Sequence, residues 1–66
     1  MNAGDAVMVS FCAQYRLHAV ITEIVQGGAM VRMLFPRSHH WAGPWFRYEW
    51  MIEGPAPLPA GVVAPC

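Results

Sequence analysis

Leu17-His18-Ala19-Val20-Ile21-Thr22-Glu23-Ile24-Val25-Gln26-Gly27-Gly28-Ala29-Met30-Val31-Arg32-Met33-Leu34-Phe35 is the stretch that decides the fold. Two apolar runs flank Gln26-Gly27-Gly28, and glycine supplies the positive φ that a tight hairpin turn requires. In the first run Leu17, Ala19, Ile21 and Val25 share a face at period two, with Glu23 interrupting. His18, Val20, Thr22 and Ile24 form the other face. In the return run Ala29, Val31, Met33 and Phe35 alternate with Met30, Arg32 and Leu34 before Pro36 ends it. This is strand patterning, not the 3.6 period of a helix. The first run is apolar on both faces, as expected of a central strand or of one whose outer face meets a partner.

Upstream, Gly4-Asp5 is a turn signal, and residues 6–11 place Val7, Val9 and Phe11 on one face. Residues 12–16 break the alternation and read as a loop. Downstream, residues 36–44 read as the longest irregular segment, bracketed by Pro36 and Pro44. Residues 45–48 follow as a short strand, and Glu49-Trp50-Met51-Ile52 reads as a 3₁₀ turn leading into a last strand. From Gly54 the composition shifts, with four of the six prolines in the final segment. The expected organisation is an all-β barrel over residues 1–53 and a proline-rich extended tail over 54–66.

A chain of 66 residues makes one domain and buries only about 60% of the surface that its unfolded form exposes. Yet 56% of the residues are hydrophobic and 12% are charged, more apolar material than a monomer of this size hides. The expectation is a homo-oligomer joined through apolar strand faces, with Val20, Ile24, Met30 and Leu34 opposite the core. Net charge is zero, with four Arg, no Lys and four acids. That argues against a general phosphate-backbone binder, which gains from counterion release only with a basic excess, without excluding nucleic acid. The missing Lys, beside abundant Ala, Gly, Pro and Val, is the usage of a GC-rich coding sequence and points to a bacterial, phage or mobile-element origin. Cys12 and Cys66 show no metal-ligand spacing and read as free thiols. No charged n-region with an apolar h-region opens the sequence, and no apolar run approaches membrane-spanning length. A reduced cytoplasmic location is therefore expected, with no membrane association.

The Gly-Asp turn, the Gly-Gly hairpin and the late aromatic strand before a 3₁₀ turn resemble a small five-stranded SH3-like barrel. The resemblance covers residues 4–53 and extends to Tudor, KOW and plasmid-borne type II dihydrofolate reductase domains. The reductase family is similar at Gly4-Asp5-Ala6-Val7, at the first-loop aromatic Tyr15 and at Ala19-Val20-Ile21. It implies self-assembly through apolar strand faces around a central pore. Where that family carries a Val-Gln-Ile-Tyr active segment, this chain reads Trp45-Phe46-Arg47-Tyr48.

Residues 38–50 hold all three Trp, together with Phe46, Tyr48, His39, His40 and Arg47. Trp, Tyr and Arg dominate binding hot spots because they bury large areas and still offer a polar tip. The candidate binding residues are Tyr15, Arg37, His40, Trp41, Trp45, Arg47 and Tyr48, with Phe46 and Trp50 beside them. Trp41, in the loop, is expected to face a partner, and Trp45, in a strand, to be the more buried. The arginines are placed to pair with a carboxylate or stack on a ring. Adjacent His39 and His40 point opposite ways on an extended segment and do not make a metal pair. No catalytic motif, metal site or cofactor site is recognisable. The function expected is a non-enzymatic interaction module that binds a protein partner or itself through the aromatic loop. The alternatives are an oligomeric-pore enzyme resembling type II dihydrofolate reductase and, more weakly, a single-stranded nucleic-acid binder using stacked aromatics.

Overall fold

The computed structural model describes residues 1–65; Cys66, expected as a free thiol, lies outside the described residues. Strands β1 (Ala6–Cys12), β2 (Tyr15–Val25), β3 (Gly28–Phe35), β4 (His40–Tyr48) and β5 (Ile52–Glu53) form one antiparallel sheet in the order β4-β3-β2-β1-β5. The 3₁₀ turn Glu49–Met51 precedes β5 as the sequence predicts. Among the described residues no helix is long and apolar enough to cross a membrane.

The predicted hairpin forms. Val25 pairs with Gly28, and Gly27 sits at φ 82°. Its flanking strands carry the core: Leu17, Ala19 and Ile21 from β2 and Ala29, Val31 and Met33 from β3 are buried together with Val7 and Val9 of β1. Phe35 and Ile52 pack against this cluster. These are the faces that period-two alternation assigns inward.

Three bulges depart from that alternation. In β2, Ile21 pairs with Val31 but Glu23 pairs with Met30, so Thr22 is the extra residue. Its hydroxyl donates to the Met30 carbonyl at 3.2 Å. Ile24 consequently pairs with Ala29 and not on the side of Val20, which corrects the expected outer face. In β1, Ser10 pairs with Arg16 and Cys12 with Tyr15, leaving Phe11 as the bulged residue. The expected first loop over 12–16 is therefore only a tight turn, because β2 already begins at Tyr15.

The third bulge corrects the expected long loop over 36–44. Only residues 36–39 turn, with His39 at φ 51°, and β4 starts at His40. Val31 pairs with Trp45 and Met33 with Ala42, so Gly43 and Pro44 together oppose Arg32. Pro44 has no N–H to give a ladder, and a bulge is where a strand accommodates that loss. Gly43, at φ 113°, lets the backbone pass where an added Cβ would stand 3.0 Å from the Val31 carbonyl oxygen.

The sheet rolls without closing into a backbone ladder. β4 and β1 are separated by β3 and β2, yet Arg47 Nε of β4 donates to the Ser10 carbonyl of β1 at 2.8 Å. β5 pairs with β1 only at Met8 and Val9, so the outer edge of β1 at Ser10 is left to that side chain.

Glycines 27 and 28 separate two demands of the hairpin. An added Cβ at Gly28 would run into the Arg47 carbonyl of β4, whereas one at Gly27 meets nothing. Gly27→Asn, which keeps access to positive φ, is expected to cost about 1 kcal/mol or less. Gly28→Ala is expected to cost about 2–3 kcal/mol by forcing β3 and β4 apart. Urea denaturation of the two variants checks the order.

Candidate functional site

The aromatic stretch that the sequence presents as one cluster is divided by the β4 bulge. Four residues apart on a regular strand, Trp41 and Trp45 would share a face. With the extra residue between them, Trp41 pairs with Leu34 and Trp45 with Val31, so their side chains leave opposite faces of the sheet.

Trp45 lies on the core side, at the open end of the roll. It meets Phe11 at 6.4 Å and Phe35 at 6.3 Å between ring centroids, and Phe11 and Phe35 meet edge-to-face at 5.4 Å. Trp45 is 39% exposed and Phe11 41%. The expectation that Trp45 is the more buried of the pair is corrected: Trp41 is half-buried, and its indole Nε1–H donates to the Val63 carbonyl at 3.1 Å. Phe11 and Phe35 were not among the predicted site residues. Their signal is that each ends an inward-facing alternation, where the last large side chain caps the core.

Beyond the bulge, Phe46 and Tyr48 leave the face that carries Trp41. Phe46 meets Tyr48 edge-on at 4.9 Å, and Tyr48 stacks on Trp50 with 6.0 Å between centroids and 9° between planes. Tyr48 is 53% exposed and Trp50 77%. Strand β4 holds the first two rings at alternate positions, and the 3₁₀ turn carries Trp50 over Tyr48. Glu49 N–H, donating to the Gly27 carbonyl at 3.0 Å, ties that turn to the β2–β3 hairpin. The result is a ladder of three rings, pre-ordered by its own contacts.

The other predicted residues are dispersed. Tyr15 opens β2 and is exposed, Arg37 is exposed in the turn after β3, and exposed His40 opens β4 opposite Phe35. Arg47 is half-buried and committed to structure, since its Nε holds the Ser10 carbonyl and its Nη1 donates to the Phe46 carbonyl at 2.7 Å. A cleft of about 740 Å³ lies elsewhere, lined by Met1, Asp5, Ile52, Pro55 and Pro57 among others, and includes none of the predicted site residues. Among the described residues no group of three or more His, Cys, Asp or Glu is placed to hold a metal ion.

No protein-family model, curated protein or solved structure matches the chain. Its geometry alone carries the functional reading.

The placements give different expectations for three side chains. Trp41→Ala removes a half-buried ring and the N–H that holds Val63, and should cost about 2–4 kcal/mol of stability. Arg47→Met keeps most of the stem but leaves the Ser10 carbonyl unpaired, and should cost about 1–3 kcal/mol. Trp50→Ala should stay within about 0.5 kcal/mol of wild type. Equilibrium denaturation followed by circular dichroism ranks the three.

Proposed function

We propose that the chain is a non-enzymatic interaction module, which takes a protein partner or a second copy of itself on the Phe46–Tyr48–Trp50 ladder. The observation that carries this reading is the pair of stacked rings at 53% and 77% exposure on a chain this small. Large flat rings that hold one another in place lose little conformational freedom when a partner covers them. Their polar tips, the Tyr48 hydroxyl and the Trp50 indole N–H, supply direction at the edge of the apolar contact.

The SH3-like barrel reading belongs to the same proposal. It is supported by the strand order β4-β3-β2-β1-β5, by the 3₁₀ turn directly before β5 and by the Arg47 bridge that draws β4 toward β1. The homo-oligomer is part of it too, as one of the two occupants that the ladder admits.

The test compares wild type with Tyr48→Ser/Trp50→Ser under reducing conditions. Both should melt at nearly the same temperature. Sedimentation velocity and crosslinking capture should show complexes with wild type that the double variant loses, by about 2 kcal/mol or more in affinity. Complexes of equal strength with both proteins would remove the ladder from the interface. Parallel fluorescence titrations with dihydropterin and with an oligothymidylate discriminate the enzyme and nucleic-acid alternatives; saturable binding of either displaces the module reading.

A further inference from the structure

The face of the sheet opposite the core is covered by the chain itself. Met8 pairs with His18 and Leu34 with Trp41, and these two pairs adjoin across β2 and β3 beside the Ala19–Met33 pair. Ala6, Val20 and Arg32 form the neighbouring row. Val20 and Leu34 are 5% and 3% exposed although both stand outside the main cluster. A second layer must exclude water from them.

The C-terminal segment supplies that layer. Ala56 N–H donates to the Ala6 carbonyl at 2.9 Å on the β1 side, and the Val63 carbonyl accepts from Trp41 at 3.1 Å on the β4 side. Measured along the sheet, β1 and β4 lie three strand spacings apart, about 14 Å, a path that residues 57–63 span at about 3.3 Å per extended residue. They do so even with the turn closed by Val62 N–H on the Pro59 carbonyl, where Gly61 has φ 83°. Leu58 and Val62 are half-buried along this path. Gly54 starts it in close contact with β1: an added Cβ would stand 2.6 Å from Val7 Cγ1.

The fit is incomplete. On the covered face, His18 Nδ1 and Arg32 Nε are buried without a hydrogen-bond partner among the described residues. A cover that leaves polar atoms unpaired is held less firmly than the ladders beneath it, and such segments open at lower free-energy cost than the core.

We propose that this face is a docking site for an extended, proline-punctuated apolar segment, filled in cis by residues 55–63 and in trans by the same residues of a second copy. Two chains then exchange tails. The segment that fits in cis fits unchanged in trans, so exchange conserves the contacts and is opposed only by the entropy of association. Residues 54–65 carry no charged side chain, so nothing repels the tail of another copy. Pro55, Pro57 and Pro59 limit its freedom before docking, which lowers the ordering cost in either mode. The exchange does not involve the Tyr48–Trp50 ladder and stands or falls independently of it.

The experiment adds a synthetic peptide of residues 55–65 to the full-length chain, as wild type and as Leu58→Ser/Val62→Ser, under reducing conditions. Calorimetry and tryptophan fluorescence read binding, and sedimentation reads assembly. The folded double variant should bind the peptide one to one. Wild type should bind it about 100-fold more weakly if its own tail is seated about 99% of the time. A peptide carrying the same two serines should not bind. Concentrated wild type should dimerise, and the double variant should not. A double variant with an unchanged circular dichroism spectrum that ignores the peptide overturns the proposal. So does a dimer that persists when Tyr48→Ser/Trp50→Ser, which removes the ladder, is combined with that variant, a wild type that stays monomeric at millimolar concentration, or equal affinity for an unrelated proline-rich peptide. Should Leu58→Ser/Val62→Ser fail to fold, Trp41→Phe keeps an aromatic ring but removes the indole N–H and part of the ring's bulk, and should likewise bind the peptide more tightly than wild type does.

Discussion

A guanidinium reaching from β4 to the Ser10 carbonyl of β1 holds the two separated strands of this sheet together. The arrangement answers a problem of size. A single flat sheet of five short strands has no opposing layer to bury its apolar face, and a chain of 66 residues has no helix to spare for one. Rolling the sheet until β4 approaches β1 lets Val7, Val9, Ile21, Val31 and Met33 pack on one another. Backbone pairing cannot complete the roll there, because β1 has spent part of its outer edge on β5. A long side chain with several fixed donors can complete it, and Arg47 uses two of them on main-chain carbonyls. Lysine, a point charge on a flexible stem, offers no such fork.

The bulges follow from the same demand. An extra residue bends its strand and increases the local twist, and here one falls on β1, one on β2 and one on β4. Each also reverses the side-chain alternation beyond it, which is why the sequence was legible up to the bulges and misleading past them. The hairpin, the inward residues of β2 and β3 and the 3₁₀ turn all follow from local rules. Thr22, Phe11 and Gly43-Pro44 carry no period-two signature of being extra residues; only their cross-strand partners define them as such. Pro44 was a true indication that a ladder bond is missing, but it marked a bulge inside a strand and not a loop.

The division of the aromatic stretch shows the functional consequence. Read as a string, residues 38–50 form one patch. Folded, Trp45 caps the open end of the core with Phe11 and Phe35, Trp41 is engaged by Val63, and Phe46, Tyr48 and Trp50 stand as a ladder. Composition alone could not separate these roles, since each uses the same residue types. The deciding quantity is whether a ring finds a partner within the chain. Among the described aromatic rings Trp50 meets only Tyr48, and it keeps 77% of its surface open to water.

The apolar excess of the sequence looks different in this light. The final segment, without charged side chains, is tied to β1 at Ala6 and to β4 at Trp41, and Val20 and Leu34 on the sheet face between these strands are buried. Burying side chains of that size contributes about 1.5–3 kcal/mol each, a substantial share for a domain whose single core is small. What remains outside is not spread evenly: the stacked Tyr48 and Trp50 are held by the same β4 that bears Arg47. The Arg47 seam and the Glu49–Gly27 hydrogen bond anchor the C-terminal end of β4 on either side of Tyr48. The contact that draws β4 toward β1 therefore also holds the strand that carries these exposed rings.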